Sequence, residues 1–316
     1  MTTREQSLEP DRALIASLAR ADRWRVAVRT LVILGAYAGT VVLALQPAVG
    51  WWALLCSVFL AFVLTGFLNA VHDCVHRAHL RSKLGNRIAG AAWGTPITMN
   101  FTIYRHEHLV HHRFTGVEGD TEKPQHFESA GSYLHAMSGV SYWPVLAAFI
   151  AKTSLGELPE NLNTPERRRD ARIDNWVVVG WLALMVTLTV FFPVALLVAY
   201  WLPLFLVMPA AMIMAVPEHY GLWGTPDVMR NTRTVRSNGF VRYFIWNGNY
   251  HAEHHRYPAV ASVNLHRLHK ALPQPHPVQV RSYVGFHLGL LRALLRGDKD
   301  YGKVPADDTA TPAGQG

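Results

Sequence analysis

Residues 30–71 read TLVILGAYAGTVVLALQPAVGWWALLCSVFLAFVLTGFLNAV, 42 residues without one Asp, Glu, Lys, Arg or His. A membrane-spanning helix needs about 20 apolar residues, so this run is long enough for two spans and a tight turn. The turn is Gln46-Pro47-Ala48-Val49-Gly50, and Trp51-Trp52 then opens the next span at an interface. A second charge-free run of 43 residues covers Asn175 to Pro217. In it, Phe191-Phe192-Pro193 separates a span beginning near Trp176 from one ending near Pro217. Two buried hairpins of a soluble protein are the competing explanation, but runs this long without a charge fit lipid far better.

Charge outside the runs gives an orientation. The chain is half hydrophobic and only 16% charged, against about 25% in an ordinary soluble protein. Arg20, Arg23, Arg25 and Arg29 precede the first run, and Arg77, Arg81, Lys83 and Arg87 follow it. Arg167, Arg168, Arg169 and Arg172 precede the second, and Arg230, Arg233, Arg236 and Arg242 follow. Neither turn carries a charge, so the positive-inside rule puts both termini and all the basic segments in the cytoplasm. The net charge of +8 is then a signature of the cytoplasmic leaflet, and no nucleic-acid partner is expected.

The expected fold is an all-α integral membrane protein. Four transmembrane helices in two hairpins, at about 26–71 and 175–217, carry a cytoplasmic helical cap built from 72–174 and 218–300. Together these make one membrane domain over 26–300. Residues 1–25 are expected as a cytoplasmic arm and 301–316 as a disordered tail. Ile88 to Thr102 is apolar but too short and broken to span. Tyr133 to Ala151 is expected along the membrane surface, and Tyr283 to Leu295 as an amphipathic helix. The polar start, Met1 to Asp22, shows no cleavable signal peptide. Two cysteines, Cys56 and Cys74, give no disulfide framework.

Nine of the seventeen histidines fall into four patches: His72/His76 in HDCVH, His108/His111/His112 in HLVHH, His219 in EHYG, and His251/His254/His255 in HAEHH. Neutral imidazole is the commonest metal ligand. On a helix, positions i, i+3 and i+4 share a face, so each box offers two or three nitrogens to one side. Nine ligands exceed what one ion takes, and two ions follow. All four patches fall in segments expected on one membrane face, which joins motifs that are individually weak into one site. The other eight histidines have a structural or surface reading; of these, His79 and His106 adjoin the boxes.

Acids and amides beside the boxes are candidates to hold the ligands. Asp73, Glu107, Glu218 and Glu253 each adjoin a box histidine, and a metal-bound imidazole usually donates its other N–H to a carboxylate or carbonyl. Direct ligation by one of them stays open. Asn247 and Asn249 are placed either to hold a metal-bound water or to make a turn. Asp120 and Glu122 are expected to brace the second box by pairing with Arg105 or Arg113.

An imidazole-rich dinuclear site at the mouth of apolar spans suits redox iron better than hydrolytic zinc, whose paired sites favour bridging carboxylates and polar substrates. A substrate drawn from the membrane offers unactivated C–H bonds. Breaking one needs an oxidant made from O₂ at a metal in a pocket that excludes water.

The strings HDCVH, YRHEHLVHHRFTG with GDTE, EHYG and WNGNYHAEHHRYPAV resemble the membrane fatty acid desaturase superfamily, which also holds alkane and lipid hydroxylases and carotenoid ketolases. The resemblance covers about residues 30 to 275. It implies a non-haem diiron centre ligated by His72, His76, His108, His111, His112, His219, His251, His254 and His255, with O₂ as co-substrate. It also implies a lipid or acyl-chain substrate and electrons from a separate carrier. The first box is spaced like that of acyl-lipid desaturases; the acyl-CoA type has one more residue between the histidines. The third box begins with histidine, where front-end desaturases carry glutamine. No fused cytochrome-type domain is visible, which points to a separate ferredoxin or similar donor. Acyl-lipid desaturation is the leading expectation. Hydroxylation or ketolation is the alternative, and a zinc-dependent membrane hydrolase a remote one.

Overall fold

The computed structural model describes residues 10–272 and 278–303. Most of the expected tail, the start of the arm and His276 lie outside the described residues. Fifteen α-helices follow in chain order among the described residues. They are α1 (Arg12–Leu18), α2 (Arg23–Ala44), α3 (Ala53–Val75), α4 (Lys83–Gly94), α5 (Phe101–Phe114), α6 (Ala130–Ser138) and α7 (Tyr142–Ser154). Next come α8 (Pro165–Phe191), α9 (Pro193–Leu196), α10 (Leu202–His219), α11 (Val228–Asn231) and α12 (Gly239–Phe244). The last are α13 (His251–Arg256), α14 (Leu265–Ala271) and α15 (Tyr283–Leu295). Among the described residues the helical expectation is departed from at one small place, a parallel pair of two-residue strands, β1 (Thr234–Val235) and β2 (Gln279–Val280).

Among the described residues, four stretches are long and apolar enough to cross a membrane: Arg23–Ala44, Pro47–Val75, Pro165–Phe191 and Pro193–His219. Their outward residues are bare hydrocarbon and indole, including Trp24, Leu31, Val42, Leu54, Val58, Val186, Val190 and Phe191. A soluble monomer rarely exposes so much contiguous apolar surface, and the protein is a membrane protein. Helices α6 and α7 pass the same test together but bend by 47°, at Gly139 in the left-handed region.

Local chemistry sets where the spans begin. Asp22 caps α2 by accepting the Trp24 and Arg25 N–H groups. Thr164 caps α8 and Pro165 occupies its first turn. That helix therefore starts ten residues before the charge-free run, and Arg167 to Arg169 and Arg172 belong to the spanning helix itself. Asp174 binds the Arg87 guanidinium and the Thr102 N–H, which fastens α8 to α4 and α5.

Helix α3 is central, packed by α2, α4 and α10. At Gly66 an added Cβ would lie 2.6 Å from the Phe244 carbonyl oxygen, so α12 is drawn against its backbone. A π-helical turn, Leu197–Trp201, leads into α10. The carbonyls it loosens find donors across the bundle: Ser57 Oγ gives to Val198 O at 2.8 Å and Tyr37 OH to Ala199 O at 2.7 Å. Lipid has no donors to offer such carbonyls. Nearer the start of the chain, α1 is docked on the helices around the third histidine box. Leu14, Ile15 and Leu18 pack on Tyr250, Leu265 and Leu268, and Leu18 O accepts the Ala261 N–H.

Candidate metal centre

Four helices bring the histidine patches together. His72 is in the last turn of α3 and His76 caps it. Helix α5, capped by Asn100 on the Ile103 N–H, carries His108, His111 and His112. His219 ends α10, and α13 carries His251, His254 and His255. The chain enters α13 through Trp246 (φ 54°) and Asn247 (φ 59°), left-handed conformations that are uncommon outside glycine. Asn247 Nδ2 donates to Ser262 O at 2.8 Å and holds that turn.

The nine side chains form two groups, His72, His76, His108, His112 and His254, and His111, His219, His251 and His255; within each, one ligand atom per residue lies within 4.8 Å of all the others. In the five-histidine group, His108 Nε2 lies 3.0 Å from His76 Nε2 and 2.9 Å from His112 Nε2, which is 3.0 Å from His254 Nε2. In the four-histidine group, His251 Nε2 is 3.1 Å from both His219 Nε2 and His255 Nε2.

Each HxxHH string is divided, where the sequence reading gives a whole box to one side. Positions i and i+4 stay together, as His108 with His112 and His251 with His255, while the i+3 residues His111 and His254 join the opposite group. Successive helix residues are turned by about 100°, so i+4 nearly eclipses i whereas i+3 falls short of it.

The donor set fits metal ions. Nε2 atoms packed this closely are unstable as bare lone pairs. A cation about 2.0–2.1 Å from each, with ligands at right angles, spaces them by about 3 Å. His72 Nε2 and His111 Nε2 are buried and have no hydrogen-bond partner among the described residues. Three rings in the four-histidine group are held by their other nitrogen. His111 Nδ1 donates to Asp120 Oδ1 at 2.8 Å, His219 Nδ1 to Asn231 O at 3.0 Å, and His255 Nδ1 to Thr115 Oγ1 at 3.1 Å. Thr115 in turn gives its own proton to His111 O at 2.7 Å. Each contact fixes the tautomer that leaves Nε2 free for an ion.

Burial holds His76, His108, His251, His254 and His255 well below the usual imidazole range, and neighbouring imidazoles add like-charge repulsion. His112 is pushed down to about 2 by the same causes. The unfolded chain takes up these protons below about pH 6.5, whereas the folded one resists them until far lower. Stability is therefore full above about pH 6.5 and falls progressively below it. Chemical unfolding of the metal-free protein at pH 7.5 and 5.0 is expected to show lower stability at the lower value. A midpoint unchanged at pH 5.0 would count against neutral imidazoles buried in the folded protein.

The acids and amides named from the sequence are placed differently. Glu218 Oε2 lies 3.5 Å from His251 Nε2 and is at the centre. The others are engaged elsewhere. Asp73 binds His79 Nδ1 and the Ser262 N–H, and Glu107 accepts from Asn161. Glu253 accepts from Thr234 and pairs with His269. Asn249 Nδ2 donates to Val235 O. Asp120, expected to pair with an arginine, instead takes His111 Nδ1 and the Gly116 N–H. Glu122 faces His108 and His111 at 3.9 Å. Thr115 and the Asn231 carbonyl are the positions that sequence reasoning missed.

A cavity of about 300 Å³ reaches the centre, walled by Thr65 and Leu68 of α3, Met208, Ala211 and Ala215 of α10, and Tyr142 of α7. His72, His108, His251 and His254 close its polar end with Glu122 and Glu218. The sequence model of the fatty acid desaturase family matches residues 49–285, a span that includes all nine histidines. No curated protein matches the chain.

Proposed function

The chain belongs to the fatty acid desaturase family, and from that premise we propose that it uses O₂ to oxidise an unactivated C–H bond in a membrane-derived acyl chain, forming a double bond. The observation that carries this reading is the apolar cavity ending on two groups of converging imidazoles. His72, His76, His108, His112 and His254 would hold one iron, and His111, His219, His251 and His255 the other. Bound iron, with O₂ and two electrons, supplies the oxidising power for an unactivated C–H bond. In balance, two adjacent methylenes lose two hydrogens, and O₂ with two electrons and two protons leaves as two waters.

The chain's own residues select and align the substrate. Successive methylenes are chemically alike, so the position oxidised follows from where the apolar wall halts the chain. Burial keeps the hydroxyls of Tyr104 and Tyr283 protonated well above their ordinary range, as donors facing the cavity. The metal face and both termini are assigned to the cytoplasm on the arginine distribution. Product analysis by mass spectrometry after reconstitution with lipid, O₂ and a reductant tests the reaction. Loss of two hydrogens is expected; gain of one oxygen would make the protein a hydroxylase instead.

Electrons are assigned to a separate acidic carrier such as a ferredoxin. The face of α5 that carries Arg105, Leu109 and Arg113 borders a groove of about 500 Å³, together with Arg77, Lys83 and Arg167. Asp170 is the one acidic residue lining it among the described residues, and Leu84, Phe101 and Phe114 give an apolar floor. Such a surface steers an acidic partner, more strongly at low salt, onto the helix that also bears His108, His111 and His112. The R77E/K83E/R113E variant is expected to raise KM for reduced ferredoxin at least roughly tenfold at low ionic strength, with metal content retained. An unchanged KM would place the donor elsewhere.

A further inference from the structure

Three carboxylates line the cavity, Asp73, Glu122 and Glu218, and no lysine or arginine does; Glu218 and Glu122 are the two that approach the four-histidine group. Glu218 is 18% exposed along its side chain. Its carboxylate has no hydrogen-bond donor among the described residues, and its Oε2 lies 3.5 Å from His251 Nε2. Glu122 also lines the cavity, with 55% of its side chain exposed. Its Oε2 faces His111 Nε2, itself buried and without a hydrogen-bond partner among the described residues, at 3.9 Å.

A carboxylate taken out of water is tolerated only when a counter-charge or strong donors compensate it. Other buried carboxylates of the protein have such compensation: Asp73 has His79 and a backbone N–H, Asp120 has His111 and two backbone N–H groups, Glu253 has Thr234 and His269, and Asp174 has Arg87 and Thr102. Glu218 lacks any of these and points at the group that is one imidazole short of its neighbour.

We propose that the Glu218 carboxylate is a direct ligand of the ion held by His111, His219, His251 and His255, so that the two ions of this protein are chemically unlike. One ion has five imidazoles. The other has four imidazoles and an anionic oxygen, a harder donor set that favours a higher charge on the ion. Glu122 lies across the same space and adds negative potential without touching a histidine nitrogen.

This assignment rests on the reading that the nine histidines hold two ions, and the experiment separates the two claims. Cobalt(II) is titrated into metal-free, full-length protein in micelles and followed by absorption and by ion count. Wild type is expected to bind two ions. E218A is expected to weaken one of them by at least roughly 10–100-fold and leave the other unchanged, and E218D to keep both with an altered spectrum. Two ions with wild-type affinity and spectrum in E218A overturn the carboxylate assignment alone, whereas wild type that binds no ion overturns the metal reading beneath it. If E218A does not fold, Mössbauer spectra of wild type and E218Q loaded with ⁵⁷Fe decide. A change confined to one of the two iron environments supports the assignment, and spectra identical in the two proteins overturn it.

Discussion

His254→Ala and His111→Ala are each expected to lower turnover by more than about 100-fold, because even losing a residue that merely supports a metal ligand costs roughly 10–100-fold. The two substitutions strike different histidine groups. His254 sits with His72, His76, His108 and His112, and His111 with His219, His251 and His255. Each is buried, yet neither lies within a spanning stretch, so insertion of the four apolar helices is expected to continue. The check is paired: oxidised lipid measured in membranes, and protein recovered in the membrane fraction. Each variant should also retain the ion of the opposite group. Near-normal activity in either one would remove that histidine from the ligand set.

Ala215→Trp is expected to abolish oxidation of long acyl chains while leaving both ions in place. Ala211, Ala215 and His219 are four residues apart along α10 and so share one face, and both alanines line the cavity. An indole at Ala215 fills the space one turn from the centre, where the reacting carbons would lie. Moved a further turn away, Ala211→Trp is expected to spare turnover but shift the preference to shorter chains. Chromatography of products from a mixture of chain lengths, with metal content as the folding control, reads both effects. Equal use of all lengths in the two variants would mean that the chain binds elsewhere.

The spans were legible because lipid imposes a one-dimensional rule, and the absence of charge over residues 30–71 and 175–217 is visible without any contact map. Their starts were less so. A cap at Thr164 with Pro165 began α8 ahead of its apolar part, since helix propensity does not stop where hydrophobicity does. The histidines stood out by composition, but their division into five and four depends on how α3, α5, α10 and α13 approach one another. Helical periodicity contains part of that answer, because i and i+4 must travel together.

Asp120 was misread because charge alone suggested an arginine partner. Gly116 and Gly119, both at positive φ, curl the segment after α5 back on itself and deliver the carboxylate to His111 Nδ1. Sequence adjacency misled in the same way for Asp73 and Glu253. Neighbours along a helix leave it in different directions, so a residue beside a ligand seldom reaches that ligand's own ring. Thr115, four residues after His111, carried the one usable signal, since its hydroxyl returns to the His111 carbonyl and so presents an acceptor to His255.

The most direct test of the account is metal analysis of the purified full-length protein combined with O₂ uptake. Two irons per chain are expected, with uptake that requires both an electron donor and a lipid substrate. Zinc in the same positions, with no O₂ consumed, would contradict the oxidative reading and favour a hydrolase.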